Sequence, residues 1–217
     1  MTNFCQTQNG SATTTKSVFA EKTIAFARWA AKPFLFTVLL VASSMAGAIP
    51  IPGTPVPVTL QTLVLCLIGL MLTCREAVAS VVFYLALGAA GLPVFAGFKS
   101  GLVAFVGPTM GFLIGFIFGV AATAGLKYVF DVALDALMPE RSFAKTFARF
   151  CTYFVASAIG TLVIYAFGFV GQNLLTGMPI KSIATASLGF ILGDLIKAFI
   201  ASAACSGLYN ALNKKRA

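Results

Sequence analysis

Histidine is absent from this sequence, and only six of its 217 residues are acidic. With no imidazole and no Cys-x-x-Cys pair among the five cysteines, a zinc site or a disulfide framework is not expected, and no metal is assigned. No nucleophile stands beside a base, which argues against a membrane enzyme, so there is no candidate catalytic residue. A Walker A run is missing, as is any ATP-binding or soluble catalytic domain. If the protein moves a solute against a gradient, it needs a partner or a coupling ion. Charge of either sign is also scarce: 10% of residues are charged and 59% are hydrophobic, with a mean hydropathy of +0.95. That balance excludes an ordinary soluble domain and indicates an integral membrane protein in a lipid bilayer.

Runs such as Leu102 to Leu126 are apolar around their whole circumference rather than alternating, so an all-α membrane fold is expected, not a barrel. Proline, glycine and charge divide the chain into six expected spans, at 33–50, 58–74, 76–93, 104–128, 150–172 and 182–211. Residues 1–32 read as a polar cytoplasmic tail. No small-residue cleavage site follows its first apolar stretch, and Thr23 to Ala31 suit a short interfacial helix with Trp29 at the membrane surface. Residues 33–212 form the membrane domain and residues 213–217 a basic cytoplasmic tail. Pro50, Pro52, Pro55 and Pro57 exclude helix between the first two spans and predict a stiff loop that closes over a ligand. The cysteines inside spans read as small packing residues.

The formal charge of +9 reflects topology rather than affinity for nucleic acid. With both termini inside, twelve of the fifteen Lys and Arg residues are cytoplasmic, Lys99 and Lys181 lie outside, and Lys197 is intramembrane. The acids Glu21, Glu76, Asp131, Asp135 and Glu140 also fall inside, leaving Asp194 apart. The chain is therefore expected in a cytoplasmic membrane, with the proline-rich loop, the glycine-rich loop GLPVFAGFKSG and the turn QNLLTGMPIKS facing outward.

Asp194 and Lys197 interrupt an apolar run and, three residues apart, share one helix face. A charge at mid-membrane costs at least ~2.5 kcal/mol, so such residues face protein or a cavity. Two readings stay open: a self-satisfied ion pair that fixes helix packing, or a pair presented to a ligand with both hydrogen-bond donors and acceptors. Gln61 and Thr62 could cap such a cavity, Thr109 in GPTMGF could offer a hydroxyl, and Tyr84 and Tyr165 each carry a hydroxyl on an apolar body. Ala42 and Ala46 form a small-xxx-small pattern that lets another helix approach, whether within this chain or from a partner.

Four segments in order, TPVPVTLQT (Thr54 to Thr62), GLPVFAG (Gly91 to Gly97), GPTMGF (Gly107 to Phe112) and GDLIKA (Gly193 to Ala198), resemble the BioY family, across roughly Phe34 to Leu212. Phe95, within GLPVFAG, joins Asp194, Lys197, Gln61, Thr109, Tyr165 and Tyr84 as a candidate ligand contact. The resemblance implies a six-helix component with high affinity for biotin taken from outside. It also implies a contact of Ala42 and Ala46 with a transmembrane coupling subunit, energised by two ATP-binding subunits. No cofactor is implied for the chain itself, since ATP is used only by those partners. The sequence departs from the pattern at Phe98 and Lys99, where the family has glycines, at Phe112, where Tyr is common, and before GDLIK, where proline is common. A stand-alone carrier, proton-linked through Asp194, or a component for another vitamin are the competing expectations.

Overall fold

The computed structural model describes residues 29–47, 57, 59–138 and 142–214. Those residues are helical, with no named strand among them and one isolated bridge between Phe95 and Lys99. The helices are α1 (Trp29–Met45), α2 (Gln61–Met71), α3 (Cys74–Ala89), α4 (Met110–Leu137), α5 (Phe143–Thr176), α6 (Ile180–Ala186) and α7 (Leu188–Lys214), with a short 3₁₀ turn at Leu102–Phe105. α4, α5 and the stretch Ile191–Ala211 of α7 are long and apolar enough to cross a membrane, while α1 and α2 are shorter apolar helices.

The differences from the expected spans have local causes. α1 already includes Trp29 to Lys32, so the described part of the expected interfacial helix is continuous with the first span; residues 1–28 lie outside the described residues. α2 has only 11 residues and rises about 16 Å, well short of a hydrocarbon core. It stops because Thr73 takes up extended backbone to cap α3. The Thr73 hydroxyl accepts from Glu76 N–H at 3.4 Å, and the Glu76 carboxylate accepts from Thr73 N–H at 3.0 Å. The fourth helix begins at Met110 rather than 104, because Pro108 disfavours helical backbone at Gly107 and Gly101 sits at φ 72°. The sixth span is interrupted at Ser187, whose hydroxyl donates to Ile183 O at 2.7 Å, a back-bond that bends helices. Of the expected turn QNLLTGMPIKS, Gln172 to Thr176 are the end of α5 and Ile180 to Ser182 the start of α6; the chain turns between them through left-handed Gly177 at φ 69°.

Helix association in lipid depends on close van der Waals packing, and α4 and α5 achieve it through glycine. Gly111, Gly115 and Gly119 recur every fourth residue along α4 and meet α5 at Gly160, Ile164, Phe167 and Gly171. A methyl added to Gly111 would lie 2.3 Å from Phe167 O, and one added to Gly160 would lie 1.9 Å from Thr123 Oγ1. Neither position accepts a side chain without moving a helix.

One apolar cluster joins α1, α2, α3, α4 and α5 around Leu40, Ile68, Val81, Tyr84 and Val120, and a second joins α2, α5 and α7 around Cys66, Tyr153, Ala201 and Cys205. The four described cysteines are free, and Cys66 and Cys205 are buried among packing residues. At the end of the bundle where α4 turns into α5, Arg149 is 2% exposed and reaches Asp131 at 3.2 Å and Asp135 at 3.0 Å. Lys145 adds an ion pair to Asp135 at 2.8 Å, Tyr153 donates to Asp131 at 3.1 Å, and the Arg149 guanidinium lies 3.8 Å from the centroid of the Tyr209 ring on α7. Charges counted above only for topology thus clamp α4, α5 and α7 together.

Candidate ligand-binding site

The opposite end of the bundle encloses a cavity of about 750 Å³, counting the space open at its mouth. The walls are mostly apolar: Phe112, Leu113 and Phe116 from α4, Ile164 from α5, and Phe95 and Ala104 from the connection between α3 and α4. Polar groups come from the start of α2 (Thr59, Gln61, Thr62), the start of α4 (Thr109), Tyr165 on α5, Asp194 on α7 and Lys99 on the connection between α3 and α4.

Asp194 is 6% exposed and lines the cavity. One carboxylate oxygen accepts from the Thr62 hydroxyl at 2.6 Å and from Lys197 Nζ at 2.9 Å; the other accepts from the Tyr165 hydroxyl at 2.5 Å. Three donors meet a carboxylate that can accept about four hydrogen bonds, so one lone pair remains for a further donor. Lys197 donates to Thr59 O at 2.6 Å, to Thr62 Oγ1 at 3.1 Å and to Asp194. Its three N–H groups are thereby all engaged. It does not line the cavity but stands behind Asp194, neutralising it and holding α7 to the start of α2.

The expected residues divide along the same line. Gln61, Thr109, Tyr165, Phe95 and Asp194 line the cavity; Tyr84 and Lys197 do not. Tyr84 is fully buried one step back, accepting from Gln61 Nε2 at 2.7 Å and donating to Val94 O at 3.2 Å. The Gln61 carbonyl accepts from Thr59 Oγ1 at 3.1 Å, which fixes which end of the amide points where. The Thr109 hydroxyl has no hydrogen bond among the described residues, and no side-chain cap at α4, so it is available to a ligand. Phe95 is 3% exposed, edge-on to Tyr84 and Phe105 at 5.4 and 5.6 Å, and its ring fills the space over Gly88 where any side chain would collide.

Sequence reasoning passed over Phe116, Leu113 and Ile164, whose apolar character carries no mark of a cavity wall, and Lys99, counted only as an outside charge. Of the four prolines expected to stiffen the first outer loop, Pro57 lines the cavity; Pro50, Pro52 and Pro55 lie outside the described residues. Ala42 on α1 and Ala46 one residue past its end are both exposed, on the side of Leu35, Val38 and Met45, while Thr37, Leu40 and Ser44 face inward. Neither is buried among the described residues. Ser44 donates to Val94 O, on the same loop as Phe95, and so ties α1 to the wall of the site.

A family model described as the BioY family matches residues 14–214. The chain belongs to the BioY family. Among its BioY relatives, one from Rhizobium etli named biotin transporter BioY is 35% identical over 170 residues, covering 77% of this chain and 86% of the relative. Another of that name, from Thermotoga maritima, is 35% identical over 171 residues, covering 79% and 89%. Among solved structures, the S-component for biotin from an ECF-type ABC transporter aligns with a TM-score of 0.73 at 22% identity, over 86% of this chain and 93% of that one. At that identity the likeness concerns the fold, which the two chains share. The BioY chain is thus an all-helical, multi-pass membrane protein with a polar-floored cavity at one end of its bundle.

Proposed function

We propose that this chain is the biotin-binding, substrate-selecting membrane component of a vitamin uptake transporter, carried by a transmembrane coupling subunit and powered by ATP-binding subunits. The observation that carries the reading is Asp194, nearly buried in the cavity, charge-balanced from behind by Lys197 and left with one free lone pair. A ureido N–H would donate to it, Thr109 and Gln61, which line the same cavity, would serve the ureido carbonyl, and the apolar walls suit a bicycle and an alkyl chain. Membership of a family whose curated relatives are named biotin transporters supports the same ligand.

In this reading coupling falls to the partners, which alone use ATP, and the chain itself holds no cofactor. The outward exposure of Ala42 and Ala46 supports a helix–helix contact of α1 with a coupling subunit. The distribution of Lys and Arg supports a cytoplasmic membrane location with both termini inside. The test is binding of purified full-length protein in detergent to biotin and to a panel of other vitamins. Biotin should bind alone or far more tightly than the rest; preference for another vitamin would refute the ligand. Uptake by proteoliposomes holding only this chain, with and without a proton gradient, would instead favour a stand-alone carrier.

A further inference from the structure

The two lysines near the site stand in opposite situations. Lys197 has committed all three of its N–H groups to Thr59 O, Thr62 Oγ1 and Asp194, and it is not part of the cavity lining. Lys99 is the one cation that lines the cavity among the described residues, and no acid among them lies within ion-pair distance of it. Its backbone is held. The Lys99 carbonyl accepts from Phe95 N–H at 3.1 Å, Gly97 and Phe98 turn the loop through left-handed backbone at φ 74° and 59°, and Gly101 N–H donates to Gly88 O at 2.8 Å. Because Phe95 is buried between Tyr84 and Phe105, the loop that carries Lys99 is anchored to the wall of the site.

This arrangement gives the cavity a charge direction. The Asp194 carboxylate offers the cavity only acceptor oxygens, which suit a neutral donor and not an anion; among the cavity-lining residues an unpaired cation for an anionic group is found at Lys99. We propose that Lys99 is the counter-ion for the ligand carboxylate and fixes the ligand's orientation, ring system inward on Asp194 and acid tail at the outer loop. This rests on the proposed function, in which the ligand is biotin, a molecule with a neutral ureido head and one carboxylate. Lys99 is solvent-exposed, so the pair is partly screened and the expected effect is about 5- to 20-fold in affinity rather than the full value of a buried charge pair.

The test compares dissociation constants of full-length protein in detergent for biotin and for its primary amide, which keeps ring and chain but carries no charge. Wild-type protein should prefer biotin by about 5- to 20-fold, and the preference should shrink between about 50 and about 500 mM salt. In Lys99→Met the preference should fall to about one through loss of biotin affinity alone, with the amide bound as before; Lys99→Arg should keep it. A preference that persists in Lys99→Met, or an equal loss for both ligands, would overturn the assignment while leaving biotin as the ligand. Failure of wild-type protein to bind biotin would remove the proposed function and this inference together.

Discussion

Neutralising Asp194 and Lys197 separately and together distinguishes a pair that merely holds helices from one that also receives a ligand. Asp194→Asn would leave the Lys197 ammonium, 13% exposed at its side chain, facing only Thr59 O and Thr62 Oγ1. Lys197→Met would leave the Asp194 anion with only the Thr62 and Tyr165 hydroxyls. Stranding one charge of a buried pair costs about 3–5 kcal/mol, so each single variant should lose about that much stability. The double variant strands nothing and should fall within about 2 kcal/mol of wild type, far from the sum of the singles. Ligand affinity should follow another rule. Loss of the charged acceptor forfeits about 1.5–3 kcal/mol, or about 10- to 150-fold in biotin affinity, and the double variant should not recover it. Thermal unfolding in detergent and biotin titration calorimetry on the four proteins give both quantities. Return of wild-type affinity in the double variant would reduce the pair to a packing device and refute the ligand role of Asp194.

Ala42→Trp or Ala46→Trp adds bulk to an exposed face at the end of α1, so biotin binding in detergent should be unchanged while co-purification with a coupling subunit and ATP-driven uptake are lost; joint loss of folding and binding would argue against a partner face. Gly160→Ala places a methyl 1.9 Å from Thr123 Oγ1 and 2.8 Å from Gly119 O, and should cost about 1–3 kcal/mol in detergent unfolding. An unchanged melting temperature would show that α4 and α5 separate at no cost. Arg149→Met should destabilise by about 1–3 kcal/mol by leaving Asp131 with only the Tyr153 hydroxyl, while Asp135 keeps Lys145, and should not alter biotin affinity, since this cluster lies at the other end of α4 and α5 from the cavity. A changed affinity in a stable variant would link the two ends.

The spans were legible because hydropathy marks them, but their ends were not. Lys145 and Arg149 were placed before the fifth span on the assumption that charge ends a membrane helix; α5 in fact begins at Phe143, because those cations are matched by Asp131 and Asp135 on the extended end of α4. The spacing of four within each pair of charges was visible and would have suggested facing helix stripes. Likewise the run of glycines every fourth residue from Gly111 to Gly119 was a stronger packing signal than Ala42 and Ala46. The nearness of Asp194 to Lys197 followed from helical spacing, whereas their partners Thr59 and Thr62 are 138 and 132 residues away and could be joined to them only by the fold. That is also why Lys197 and Asp194, alike on paper, differ in place: the start of α2 absorbs one and leaves the other facing the cavity.

The separation of those partners orders events during synthesis. The Thr59 carbonyl and the Thr62 hydroxyl, at the start of the second helix, enter the bilayer early, and the ions that complete them arrive only with the last helix. Closing so long an interval costs little more entropy than closing a short one, so lateness carries no lasting thermodynamic penalty. It does mean that a chain halted before residue 194 can fold most of its helices yet owns no ligand site. Only a finished polypeptide gains the stabilisation that a bound vitamin confers, and the vitamin thereby protects complete molecules over fragments.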